Sequence, residues 1–304
     1  MAWQIYNDDS ILHMADMPSH CMDMAVFSPP FPALYAYTGE TNDIGNSEDF
    51  KGDAKIHLSY FYKQLARVIK PGRVIMVHVM QIPRLKRTGE VGLHDFRGLN
   101  IRLGERAGLI YEYDWSVRKN PQAQAIRTRS RELQFAGLEN DRAKSRGTLA
   151  DYLIKFRVPC ENKVKINDLG SWTKTKWREW WIDIAESQWN DIIETDTLNT
   201  AEAKGEDDTK HICPLQLEVI RRLEILYTNP GETVFSPFAG VGSEGYVAVG
   251  GISPKTKNQI PDVRDYYGIE LKKEYFLKAN DNLAIGESHA KKRDQQKDMF
   301  ASCN

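Results

Sequence analysis

The 304-residue chain has little of what marks a secreted, membrane-spanning or nucleic-acid-coating protein. Its four cysteines, Cys21, Cys160, Cys213 and Cys303, are too few for a disulfide framework in a chain this long and too scattered for a C-x-x-C zinc site. They are expected as reduced thiols, and no metal is expected. No run of about 18 apolar residues occurs, and the opening MAWQIYNDDS lacks the basic-then-apolar order of a signal peptide. The expected setting is therefore cytoplasmic, with no membrane partner. A net charge of -1 argues against coating nucleic acid by bulk charge, and no internal repeat is evident.

What is present points to a soluble globular chain. A hydrophobic content of 41% suffices for one large α/β domain with an insertion, or for two modest domains. The charge is uneven: Arg118 to Arg146 holds eight Lys or Arg against three acids. Such local basicity, more than the total, governs docking on phosphates.

WQIYN reads as a strand. The unalternating run in MDMAVF, ending at Ser28, reads as a strand covered on both faces. A long loop to about Lys51, an amphipathic helix near Ala54 to Ile69, the Lys70-Pro71-Gly72 stop and the strand RVIMVHVM complete a parallel crossover unit. Gly98 to Ala107 reads as a helix and Leu109 to Val117 as a strand. From Lys119 to about Asp208 no clean βα repeat is visible, only a basic stretch, the strand DYLIKFRV and a segment holding Trp172, Trp177, Trp180, Trp181 and Trp189. Regular order returns with a helix from Leu215 to Leu226, the strand ETVF, a glycine-rich turn, a helix, the strand YYGIE and a final helix. The polar tail from about Ser288 is expected to fray.

Two constellations carry chemistry. Ser236 to Gly245 lies between strand and helix, where glycines let the backbone approach a ligand and the helix start offers free amides. Gly240, Gly242 and Gly245 satisfy G-x-G-x-x-G, and Glu270 ends the next strand, where an acid can hold ribose hydroxyls. A nicotinamide-dependent oxidoreductase is one reading of this pattern and a tight turn beside a core strand is another. Only about sixty residues follow the glycines, too few for the rest of a dinucleotide fold. The second constellation, Ser28-Pro29-Pro30-Phe31, ends a buried strand. Two prolines lock the backbone so that carbonyls project as fixed acceptors, the Ser28 hydroxyl adds another, and Phe31 offers a flat apolar surface. Such parts suit a base carrying an amino group, whose nitrogen becomes a better nucleophile when acceptors hold its protons. A structural Pro-Pro turn is the alternative.

In IYNDD, SPPF, IKPGR, HICPLQL, SPFAGVG and GIE, in that order, the chain resembles the amino-group DNA methyltransferases that modify cytosine N4 or adenine N6. It is most similar to the beta class, in which the catalytic motif precedes the cofactor motif, and to phage and plasmid enzymes of that class. The resemblance implies an α/β fold with a doubly wound, mostly parallel sheet, Rossmann-like and permuted. It implies a catalytic half at 1–81, an inserted target-recognition region at 82–209, a cofactor-binding half at 210–287 and a polar tail at 288–304. It implies S-adenosylmethionine as cofactor and double-stranded DNA as partner, and leaves room for a homodimer and a cognate restriction endonuclease. Residue by residue, Ser28, Pro29, Pro30 and Phe31 match the catalytic motif, with Phe31 stacking on a flipped base. Phe235, Ser236, Phe238, Ala239, Gly240 and Gly242 match the loop under the methionine part of the cofactor. Glu270 matches the ribose acid, Asp9 an acidic position near the adenine, and His211, Ile212 and Pro214 the segment closing over the methionine end. Ser236 departs from the usual Asp of the glycine loop, removing a carboxylate that could contact the cofactor's ammonium. Ser28 stands where Asp or Asn is also found, and Ser-Pro-Pro leans toward cytosine N4.

Arg127, Arg129 and Arg131 alternate as an exposed strand or loop would present them, and are read either as DNA contacts or as a solvated face. The tryptophans could stack on bases or form core. His57 and His78 are read as solvated or structural. Substituting Gly242 with Asp, or Glu270 with Ala, is expected to weaken cofactor binding without unfolding the chain. Rival classes are a catalytically silent DNA-binding relative and a methyltransferase acting on RNA or protein.

Overall fold

The computed structural model describes residues 3–32, 52–84, 92–128, 131–199 and 214–301. In chain order the elements are β1 (Trp3–Asn7), α1 (Ser10–Asp16), β2 (Met24–Phe27), α2 (Asp53–Val68), β3 (Val74–Met80), β4 (Ile82–Pro83), β5 (Leu93–His94), α3 (Phe96–Arg106), β6 (Ile110–Val117), α4 (Pro121–Thr128), α5 (Phe135–Asn140), β7 (Asp151–Arg157), α6 (Lys174–Ile184), β8 (Gln188–Trp189), α7 (Leu217–Tyr227), β9 (Thr233–Ser236), α8 (Ser243–Ala248), β10 (Asp265–Glu270) and α9 (Lys273–Ala301).

One sheet runs β1-β10-β9-β2-β3-β7-β6-β8. The stretch from β1 to β3 is parallel throughout, and β7 then pairs antiparallel with both β3 and β6. Parallel strands need helical crossovers, which cover both faces, so β2 shows no polar alternation and all four of its residues are buried. Its pleat divides them. Met24 and Val26 face one core with Ile220 and Leu223 of α7, Val247 of α8, and Ala279 and Leu283 of α9. Ala25 and Phe27 face the other with Met14 of α1, Phe61 and Leu65 of α2, and Leu103 of α3. The sheet is doubly wound, as expected.

The segment 82–209, expected as an insertion, contributes β6, β7 and β8 to this same sheet. The tryptophans there are mainly core. Trp189 is buried against Trp115, and Trp172, Trp177 and Trp180 meet edge to face at 5.4–5.5 Å. Trp181 is exposed. The tail expected to fray from Ser288 instead continues α9 to Ala301. No helix among the described residues is long and apolar enough to cross a membrane.

Candidate active site

Strands β9 and β2 are neighbours whose chains leave in opposite directions along the sheet. From β9 the chain passes through α8 to β10 on one side, and from β2 through α2 to β3 on the other. Helices α8 and α2 lie on opposite faces. Such a reversal opens a crevice beyond the carboxyl ends of the two strands, where α/β sheets hold ligands. Both sequence constellations flank it, since Ser28 follows β2 and the glycine loop follows β9.

The loop ends are tied to one another. Ser10 donates its hydroxyl proton to the Pro237 carbonyl, Ala239 N donates to Ile269 O at 2.9 Å, and Asp8 N donates to Glu270 O at 3.1 Å. Phe238 packs on Phe61 at 4.7 Å and on Phe27 at 5.9 Å, which joins the glycine loop to the strand carrying Ser28. Phe235, Ser236 and Ala239 are buried in the strand end and its turn.

The three glycines do different jobs. Gly240 has φ +53°, and a Cβ there would meet nothing within 4 Å. It forms an open floor. Gly242, at φ +81°, heads α8, and a Cβ would come 2.6 Å from Leu283 Cδ1 on α9. A Cβ at Gly245 would come 2.5 Å from the Tyr266 ring on β10. These two permit close packing of helix on helix and helix on strand. The expectation that Gly242→Asp would spare the fold is therefore corrected: a side chain there meets α9 in a backbone conformation that disfavours it. Glu270 accepts from Gly240 N through Oε2 at 2.7 Å and from Lys272 N through Oε1 at 2.9 Å. The carboxylate is thus fixed beside the open floor by backbone amides, and an anionic acceptor next to a bare glycine suits a ligand bearing a sugar diol.

Asp9 caps α1, its Oδ1 accepting from Ile11 N at 2.8 Å and Leu12 N at 3.0 Å. It follows β1, two strands from β9 and the glycine loop, and its carboxylate serves the helix. Pro214 is half-buried just before α7, and His211 and Ile212 lie outside the described residues. The loop from 33 to 51 also lies outside them. In the Ser28-Pro29-Pro30-Phe31 segment Ser28 and Pro30 are half-buried and Pro29 is buried, while the Phe31 ring, 9% exposed, rests on Phe96 at 5.4 Å. Arg127 lies in the last turn of α4 and Arg131 opens a 3-10 turn, so these two sit on helical backbone where an alternating strand or loop was expected. Arg129 lies outside the described residues.

Sequence reasoning missed the partners of Ser28. Its Oγ is 2.7 Å from His78 Nδ1, and His78 Nε2 is 2.9 Å from Asp151 Oδ2. Lys119 Nζ reaches the same Asp151 oxygen at 2.5 Å. The available signals were one histidine in the otherwise apolar VIMVHVM and one acid opening DYLIKFRV. What brings them together is the antiparallel pairing of β7 on β3, which sets the start of β7 beside the end of β3.

Family models and curated protein sequences give no match to this chain. Solved structures do. A Thermus thermophilus protein provisionally assigned as a DNA modification methylase, TTHA0409, complexed with S-adenosyl-L-methionine, superposes with a TM-score of 0.64 at 17% identity, over 94% of this chain and 96% of that one. The cytosine-N4-specific PvuII DNA methyltransferase superposes with a TM-score of 0.64 at 16% identity, over 93% of this chain and 86% of its own. The chain has their fold. At such low identity the likeness extends to the path of the backbone, and the chemistry has to be argued from the side chains above.

Proposed function

We propose that this protein is an S-adenosylmethionine-dependent DNA methyltransferase acting on an exocyclic amino group, with cytosine N4 the favoured target and adenine N6 the alternative. The observation that carries the reading is the meeting of two half-sites at one crevice. A hydroxyl and fixed carbonyls, suited to amino protons, flank one strand end, and an amide-held carboxylate over a bare glycine flanks the next. The PvuII enzyme with this fold is cytosine-N4-specific and the Thermus thermophilus protein was complexed with S-adenosyl-L-methionine, in keeping with that division of labour. Gly240 and Glu270 would hold the cofactor, and Ser236 to Ala239 would shape the loop beneath it. When bound, it supplies a sulfonium-activated methyl group. The Ser28 hydroxyl and the Pro29 carbonyl would hold the amino protons of a flipped base, raising the nucleophilicity of its nitrogen. A hydroxyl is a weaker acceptor than a carboxylate and so depends on that fixed carbonyl. This dependence, with the lean of Ser-Pro-Pro, favours cytosine. The region 82–209 and its arginines Arg127, Arg129 and Arg131 are the proposed contacts to duplex DNA.

Incubating the purified chain with duplex DNA and isotopically labelled cofactor, then analysing nucleosides by mass spectrometry, tests the proposal. Labelled N4-methylcytosine is expected, and a Ser28→Ala variant should bind cofactor normally while turning over about 10²-fold more slowly or worse. N6-methyladenine alone would overturn the choice of base. Label appearing in RNA or protein but not in DNA would overturn the substrate.

A further inference from the structure

Four polar side chains from separate segments gather at the carboxyl ends of β2 and β3, where the antiparallel β7 begins. Ser28 at the end of β2, His78 near the end of β3, Asp151 at the start of β7 and Lys119 just beyond β6 form one chain of contacts, with Glu194 Oε1 3.9 Å from Lys119. His78, Asp151 and Lys119 are nearly buried, with side chains 11%, 6% and 7% exposed. Ser28 is the half-buried member that meets the crevice.

The hydrogen-bond directions follow from Asp151. Burial opposes its charge, yet His78 and Lys119 beside it hold its carboxyl below the usual carboxylate range. An ionised carboxylate only accepts, so His78 turns an N–H at Nε2 toward it, and a neutral imidazole then offers a lone pair at Nδ1. Lys119 supplies a counter-charge to Asp151, so the imidazole need not carry one. Ser28 must donate to Nδ1, which leaves its oxygen lone pairs facing the crevice.

We infer that His78 is the positioning residue behind Ser28 and the terminal acceptor of the proton released on amino-group methylation. The inference rests on the amino-methyltransferase reading above and adds the path of the proton. As the new nitrogen–carbon bond forms and the sulfur–carbon bond breaks, the nitrogen becomes acidic. One amino proton passes to Ser28 Oγ, the hydroxyl proton passes to His78 Nδ1, and the resulting imidazolium is held against Asp151 before releasing its proton to solvent. Prior protonation of His78 reverses the chain, because Nδ1–H then donates to Ser28 and the hydroxyl hydrogen points at the amino group. Activity should accordingly fall on the acid side.

The test uses the full chain and the variants His78→Gln, Asp151→Asn and Ser28→Ala. In single-turnover methylation of duplex DNA across about pH 5 to 8, the wild type should lose rate toward acid, whereas His78→Gln should be about 10²-fold slower with a flattened profile. Asp151→Asn should also be slow, since an amide can donate to Nε2 and invert the tautomer. Nitrogen-15 NMR of His78, read without cofactor or DNA, should place the proton of the neutral ring on Nε2 and show the Nδ1 resonance moving in Ser28→Ala. A wild-type rate and pH profile in folded His78→Gln overturns the relay alone, as does a neutral ring protonated on Nδ1. A wild type that transfers no methyl to DNA overturns the methyltransferase reading itself.

Discussion

The two edges of the parallel sheet use polar groups in opposite ways. At the amino edge, Asp23 precedes β2, Arg73 precedes β3 and Glu232 precedes β9, and the three are locked together. The Arg73 guanidinium, 1% exposed, reaches Asp23 Oδ1 at 3.3 Å and grips both carboxylate oxygens of Glu232. Lys70 Nζ adds a 2.6 Å contact to Asp23, Thr233 N donates to its other oxygen, and Asn229 N donates to Glu232. Nearly every acceptor is consumed inside the protein. At the carboxyl edge Ser28, against His78, and Glu270, on the amides of Gly240 and Lys272, are half-buried beside the crevice. A closed network fastens three strands to one another, whereas the carboxyl-edge groups stay part-exposed beside the crevice.

Breaking the closed network should have the larger consequence for stability. Arg73→Met removes the buried cation that Asp23 and the part-buried Glu232 share, and leaving such charges unmatched costs up to about 3–5 kcal/mol. Urea unfolding followed by circular dichroism measures the loss. Stability within about 0.5 kcal/mol of wild type would show that Asp23 and Glu232 find water or Lys70 instead, and the two edges would no longer differ in kind.

The open edge was the more legible one in the sequence, for a physical reason. Glycine turns and Pro-Pro turns are local: Gly240, Gly242 and Ser28-Pro29-Pro30 declare a backbone shape within a few residues, and the buried β2 declares itself by four unbroken apolar side chains. What could not be read depends on pairing between distant segments. His78 meets Ser28 across 50 positions and Asp151 across 73, and Arg73 meets Glu232 across 159. Likewise β6 and β7 read correctly as strands, but nothing local tells that β7 lies antiparallel on β3 and so extends the main sheet. Gly242 shows the same limit on a smaller scale: its motif suggests a ligand contact, whereas its surroundings, Leu283 and Ala279, come from α9 some forty positions on.

A second experiment sharpens the contrast inside the open edge. Glu270→Ala removes a charged acceptor from the crevice while leaving the core intact, so S-adenosylmethionine affinity measured by calorimetry should fall by about 10–100-fold, equivalent to about 1.5–3 kcal/mol. Urea stability should shift far less. Gly242→Ala should show the opposite pattern, losing stability to the clash with Leu283. Equal effects of both variants on both measurements would mean that floor and packing glycines cannot be separated as the geometry separates them.

The smallest effect concerns Glu244, in the first turn of α8 directly behind the glycine loop. It is buried like Asp23 at the amino edge, yet no ion pair reaches it among the described residues. Burial raises its carboxyl from 4.5 to about 8, and the charge of Glu270 adds to the rise. The native chain therefore holds a proton that the unfolded chain releases once the pH exceeds its ordinary value. By linkage this contribution is complete below about pH 4.5 and is lost as the pH climbs through about 8. Between pH 7 and 8 the loss should be about 1 kcal/mol. Glu244→Gln keeps the shape and removes the ionisation, so the decline of urea stability across that interval should flatten in the variant. An equal decline in both proteins would assign the dependence elsewhere, with the buried Glu224, whose carboxyl burial also pushes well up, as the next residue to replace.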